Sequence, residues 1–142
     1  MAINRILVSY DGSEFSQNAL RLARDIAISN SSTTVDIVYV VPIPLLSETQ
    51  AVDFKSITDL MMEDGKNILQ KAYDEVSDLD DRVKTLLLTG TSPATEILKM
   101  AHTGDYDLIA IGSRGLGGIQ EYLGSVSHKV FHGTNIPVLV AK

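Results

Sequence analysis

The chain has 142 residues, 44% of them hydrophobic and 21% charged, with 12 basic and 18 acidic side chains giving a formal net charge of −6. That length suits one domain over residues 1–142 with a core of its own, and the composition is not that of a disordered chain. There is no cysteine, which removes a disulfide framework, a thiolate metal site and a Cys nucleophile. The acidic balance opposes binding to bulk nucleic acid or anionic lipid, so an anionic ligand would have to be held by local dipoles. No apolar run approaches the roughly 20 residues that span a bilayer. Met1 to Tyr10 reads as a strand and not as a leader peptide, so a cytoplasmic protein without a membrane partner is expected.

Ile6-Leu7-Val8 is a short continuous apolar run, as in a strand covered on both faces. Asp11-Gly12-Ser13 follows as a turn, with Ser13 placed to cap a helix whose stripe is Phe15, Ala19, Leu22 and Ile26. A second strand runs from Val35 to Val41 and stops at Pro42. Pro42 to Asp53 shows no period and is expected to be a loop. From Phe54 to Val76 a helical stripe returns through Ile57, Met61, Ile68, Ala72 and Val76, with Gly65 inside it.

Arg82 to Leu88 reads as a third strand, half exposed because charged residues alternate with Val83 and Thr85. Ser92-Pro93 opens a third helix, Ile97, Leu98 and Ala101 line its inner face, and Gly104 stops it. Leu108 to Ile111 is a second fully apolar strand. A glycine-rich loop leads to a last helix around Val126, Val130 and Phe131, and Ile136 to Ala141 closes the chain as a strand.

Alternating strands and helices predict an α/β fold: an open parallel five-stranded sheet with right-handed crossovers and helices on both faces. Placing the two continuously apolar strands centrally and the amphipathic third strand at an edge gives the order 3-2-1-4-5. In such a sheet the ligand crevice lies at the carboxyl ends of the strands where the winding reverses, here between the first and fourth strands. Ser9 to Ser13 and Gly112 to Gly115 arrive there.

The segment Gly112 to Ser127 reads GSRGLGGIQEYLGSVS, and four of the chain's ten glycines lie between Gly112 and Gly118. Amides of such a loop can form a concave anion nest. Gly124-Ser125 then presents the electropositive end of the last helix, with the hydroxyls of Ser125 and Ser127 as further donors. The bland reading, glycines that only shape a strand-to-helix connection, is outweighed by placement at the switch point. Gly118 stands where a Walker A loop has Lys, and the dinucleotide fingerprint has a different place and spacing.

These residues carry a resemblance. Ile6 to Ser13, Val38 to Val41, Gly90 to Ala101, Asp107 to Gly118, Gly124 to Ser127 and Ile136 to Val140 together are similar to the small, single-domain, UspA-like universal stress proteins, of Rossmann-like, adenine nucleotide alpha hydrolase-like fold. Some members of that family bind ATP and others do not. The ATP signature resembles Gly-x2-Gly-x9-Gly-(Ser/Thr). Gly112, Gly115, Gly124 and Ser125 fit it, with eight residues in place of nine between Gly115 and Gly124. The resemblance implies an ATP site. Asp11 would lie near the ribose with Ser9 beside it, Val40 at the adenine edge, and Ile111 against the nucleoside. Gly112, Arg114, Gly115, Gly124, Ser125, Val126 and Ser127 would meet ribose and phosphates. Mg²⁺ or Mn²⁺ would bridge the phosphates, held largely by their oxygens and by water.

Residue by residue, plainer roles compete. Asp before Gly-Ser is commonly a turn residue, and Arg114 divides evenly between a solvated charge and an anion contact. His128 and His132 have metal-like spacing but no third ligand, so no metal is expected. No catalytic constellation is present, so a stress-response binder is expected, with nucleotide occupancy as a switch and no dedicated enzyme activity. A nucleotide-free interaction module of the same fold is the alternative. Ile136 to Val140 is apolar yet contains Pro137, which predicts an edge strand. Antiparallel pairing with a second copy, a mode common in the resembled family, predicts a homodimer.

Overall fold

The computed structural model describes residues 2–43, 48–115 and 123–142, and the side chains of 48–53 are outside the description. The elements in chain order are β1 (Arg5–Ser9), α1 (Glu14–Ser29), β2 (Thr34–Pro42), α2 (Glu48–Glu75), a 3-10 turn (Ser77–Arg82), β3 (Val83–Gly90), α3 (Pro93–Thr103), β4 (Leu108–Gly112), α4 (Ser125–Gly133) and β5 (Val138–Ala141). The sheet order is β3-β2-β1-β4-β5 with every neighbouring pair parallel, the order expected from the apolar runs.

The core lies in two layers, one on each side of the sheet, and the strands divide their side chains between them. Ile6 and Val8 of β1 join Ala19, Leu20, Ala72 and Val76 beneath α1 and α2, whereas Leu7 joins Ile97, Ile109 and Val130 beneath α3 and α4. That alternation follows from the two-residue period of a strand buried on both faces. At the edge, β3 keeps Lys84 and Thr85 exposed.

Local chemistry sets the helix starts. The Ser13 hydroxyl accepts from the Ser16 N–H at 3.2 Å, and the Ser92 hydroxyl accepts from the Thr95 N–H at 3.4 Å with Pro93 beginning α3. Gly12 has φ +83°, the left-handed conformation that lets β1 turn sharply into α1.

Two expectations need correction. The segment from Pro42 to Asp53 is not loop throughout, because α2 begins at Glu48. The last strand begins at Val138, although the Pro137 carbonyl already accepts from the Ile109 N–H at 3.0 Å. The 3-10 turn, with Asp80 at φ 56°, had no counterpart in the sequence reading.

At the amino ends of the strands, away from the crevice, Asp36 is buried and held through one carboxylate oxygen. The Tyr106 hydroxyl donates to Asp36 Oδ2 at 2.6 Å, and the Arg5 guanidinium donates to the same oxygen at 3.2 Å. Burial and then the Asp36 hydrogen bond push the Tyr106 phenol well above its ordinary value.

Candidate functional site

A cleft of about 450 Å³ opens at the carboxyl ends of the strands, between β1 and β4, where the winding direction reverses. Ser9, Tyr10 and Asp11 reach it from β1, and Tyr39, Val40 and Pro42 from β2. Pro93 and Ile97 come from α3, Ile111 to Gly115 in part from the end of β4, and Gly124 to Ser127 from the start of α4. Every residue expected at the site lines this cleft: Ser9, Asp11, Val40, Ile111, Gly112, Arg114, Gly115, Gly124, Ser125, Val126 and Ser127. Leu116 to Tyr122, the middle of the glycine-rich segment, lie outside the described residues.

Both ends of that segment are fastened. The Gly124 N–H donates to the Ser113 carbonyl at 2.7 Å, and the Ser127 hydroxyl donates to the Gly112 carbonyl at 2.6 Å. Ser127 is therefore a buried clasp between α4 and β4, and its proton is committed to the backbone. This differs from its expected role as a further donor to a ligand. In α4, the His128 N–H is the first to find a carbonyl, that of Gly124 at 2.9 Å. Among the described residues, nothing accepts from the N–H groups of Ser125, Val126 or Ser127. N–H groups at a helix start are the ones that intrahelical carbonyls do not serve, and these three residues border the cleft.

Close approach explains two glycines. A Cβ on Gly112 would lie 2.8 Å from backbone and Cβ atoms of Phe15 and from the Ser16 nitrogen, so the end of β4 can touch the start of α1 only without a side chain. A Cβ on Gly115 would lie 2.7 Å from Asp11 Oδ2, which brings the loop to the carboxylate.

Asp11 fills both roles that the sequence left open. Its Oδ1 accepts from the Ser13 N–H at 2.9 Å, the turn role, while Oδ2 faces the cleft wall at Gly115. Arg114 lines the cleft with its guanidinium 4.1 Å from the centroid of the Phe15 ring, a cation–π contact. Among the described lining residues the charged groups are Asp11 and Arg114, one of each sign.

Sequence reasoning brought Tyr10 to the crevice with its neighbours but missed Ser16, Tyr39, Pro42, Pro93 and Ile97 as lining residues. Tyr39 and Pro42 flank Val40 at the carboxyl end of β2, and that position was the available signal. Burial, followed by the charges of Asp11 and Asp64, raises the Tyr39 phenol above its ordinary value. Burial and then Glu75 do the same for Tyr10, so both hydroxyls are neutral at pH 7.

Comparison with known proteins places this arrangement in a lineage. A family model described as "Universal stress protein family" matches residues 2–142. Universal stress protein YxiE of Bacillus subtilis is 33% identical, over 98% of this chain and 99% of its own. The solved structure of MJ0577, a universal stress protein of Methanocaldococcus jannaschii, superposes with a TM-score of 0.87 at 28% identity, over 100% of this chain and 97% of the other. Two further solved structures share the fold at 22% identity. One is an Archaeoglobus fulgidus universal stress protein in complex with dAMP, with a TM-score of 0.69 over 100% of both chains. The other is a universal stress protein in complex with cAMP, with a TM-score of 0.72 over 100% of this chain and 98% of its own. With its sheet order, its crevice and a family match along nearly its whole length, the chain belongs to the universal stress protein family.

Proposed function

We propose that the cleft binds ATP, and that the protein is a cytoplasmic, homodimeric stress-response protein whose nucleotide occupancy acts as a switch for partners. The observation that carries this reading is the set of N–H groups of Ser125, Val126 and Ser127, without an acceptor among the described residues, at the rim of a cleft of about 450 Å³. A helix start of this kind stabilises a phosphate by direct donors and by about half a positive charge. The volume is within the usual range for ligand pockets. The apolar side chains of Val40, Ile97 and Ile111 suit the faces of an adenine and its ribose, and Asp11 Oδ2 suits a ribose hydroxyl.

The complexes of fold relatives with dAMP and cAMP support an adenine nucleotide as the ligand class. A triphosphate is the finer reading, drawn from the glycine spacing and the run of open amides. Among the described residues no cluster of three metal-ligating side chains exists, so Mg²⁺ or Mn²⁺ would be carried by phosphate oxygens and water. Among the described residues, the titratable groups lining the cleft are Asp11, Tyr10, Tyr39 and Arg114. With the tyrosines neutral and Asp11 tied into a turn, the residues favour holding a nucleotide over cleaving it.

The dimer reading is supported by β5, an edge strand whose Val138, Leu139 and Val140 are each only half-buried within one chain. Pairing with the same strand of a second copy would cover that edge around a two-fold axis. No described helix is long and apolar enough to cross a membrane.

A thermal-shift titration tests the ATP reading. Saturation to 100 times the dissociation constant adds about 2.7 kcal/mol of stability, roughly 8 °C for a domain of this size. No movement at millimolar MgATP rejects the reading. Adenine nucleotide released on denaturing the purified protein excludes a nucleotide-free module.

A further inference from the structure

The helix α2 is longer than its packing requires. Its buried apolar residues Leu69 and Ala72 lie in its carboxyl-terminal part, with buried Val76 just past its end. Gly65 is pressed against the sheet, since a Cβ there would lie 2.8 Å from Leu87 and 3.3 Å from Tyr39. From Glu48 to Asp64 the helix continues for about 25 Å at 1.5 Å per residue. No residue from Phe54 to Asp64 is buried. Yet Ile57 is 50% exposed and Leu60 67% exposed, the largest exposure among the described large hydrophobic residues. Ile57, Leu60 and Met61 share one face at helical spacing, and Glu63 and Asp64 stand one turn beyond Leu60 on the same side.

We propose that this arm is a docking surface for a basic, amphipathic partner segment, whose apolar residues cover Ile57, Leu60 and Met61 and whose Lys or Arg side chains meet Glu63 and Asp64. Charge selects the occupant. From Phe54 to Asp64 the arm carries Lys55 against Asp59, Glu63 and Asp64, a balance of 1 − 3 = −2 in a chain of net charge −6. A second copy would set acidic arm against acidic arm, and an anionic bilayer would be repelled, whereas a cationic segment gains on contact. Lys66 lies 3.9 Å from Glu63, but both side chains are about two-thirds exposed, and such pairs are weak. None of the residues of this surface lines the cleft, although the charge of Asp64 is felt by Tyr39, which does.

The test is selection from a displayed random-peptide library on the full chain, with counter-selection on the I57S/L60S double variant. The expected winners carry net positive charge and apolar residues spaced three or four apart. They bind I57S/L60S and E63K/D64K at least ten-fold more weakly, while both variants keep the melting temperature of the parent. Winners that are neutral or acidic, equal binding to either variant, or failure of any peptide to discriminate overturns the proposal. So does a dimer of the parent chain that dissociates in I57S/L60S, because the face would then be a self-interface.

Discussion

Replacing Ser127 with Ala examines the clasp that joins α4 to β4. The lost hydroxyl is 3% exposed and donates at 2.6 Å to the Gly112 carbonyl. A net intramolecular hydrogen bond contributes about 0.5–1.5 kcal/mol, and a buried acceptor left without its donor raises the cost toward about 1–3 kcal/mol. The better helix propensity of Ala returns about half a kcal/mol. The balance is a loss of about 1–2 kcal/mol, or roughly 3–6 °C in melting temperature for a domain of this length. The same bond fixes where the open amides of Ser125 to Ser127 stand relative to Gly112 and Gly115. If that alignment serves the nucleotide, affinity for MgATP falls by about 5- to 30-fold, the factor equivalent to the lost free energy. Calorimetric melting and titration of the purified variant measure both quantities. A melting temperature within 1 °C of the parent, with unchanged MgATP affinity, refutes the reasoning.

Further outcomes follow from particular contacts. Gly115→Ala places a Cβ 2.7 Å from Asp11 Oδ2, so equilibrium titration is expected to show at least ten-fold weaker MgATP binding with folding largely kept; undiminished affinity contradicts the placement of Asp11 at the nucleotide. Along the β4 side of β5, the Pro137 and Ala141 carbonyls accept from the Ile109 and Ser113 N–H groups, so by strand alternation the Val140 N–H points away from β4. Val140→Pro is therefore expected to give a monomer in sedimentation at micromolar protein while β4–β5 pairing survives, and a persistent dimer argues against pairing through this edge. Tyr106 has a folded pKa raised by burial and by Asp36, so its stabilisation is complete below the unfolded value near 10 and is lost as pH rises through the folded value. Stability is expected to fall above pH 10 by up to about 1.4 kcal/mol per pH unit from this group, and alkaline melting of Tyr106→Phe should show a shallower fall; an unchanged slope removes Tyr106 as its source.

What the sequence disclosed and what it concealed have physical causes. Ile6 to Val8 and Leu108 to Ile111 are apolar without interruption because both faces of those strands are covered, and this betrays central strands. Lys84 and Thr85 interrupt β3 because an edge strand is partly wet. Once the order was known, the switch point placed Asp11, Gly112 and the start of α4 in one crevice without reference to any side-chain contact. The start of α2 was hidden because Glu48 to Asp53 carries no apolar period from which a helix could be read. The Asp36–Tyr106 bond joins residues 70 apart in the chain, a pairing that no local pattern announces. The inward turn of the Ser127 hydroxyl and the stacking of Arg114 on Phe15 likewise depend on how finished elements meet. Residue type suggested donors at both positions, and packing decided where they point.

The binding of a triphosphate at the start of α4 is tested most directly by a crystal structure of the protein grown with MgATP. The expected density has the base beside Val40 and Ile111, with phosphate oxygens within hydrogen-bond distance of the Ser125, Val126 and Ser127 amides. Density for the nucleotide elsewhere, or a cleft still empty at saturating MgATP with its floor closed by side chains, would contradict it.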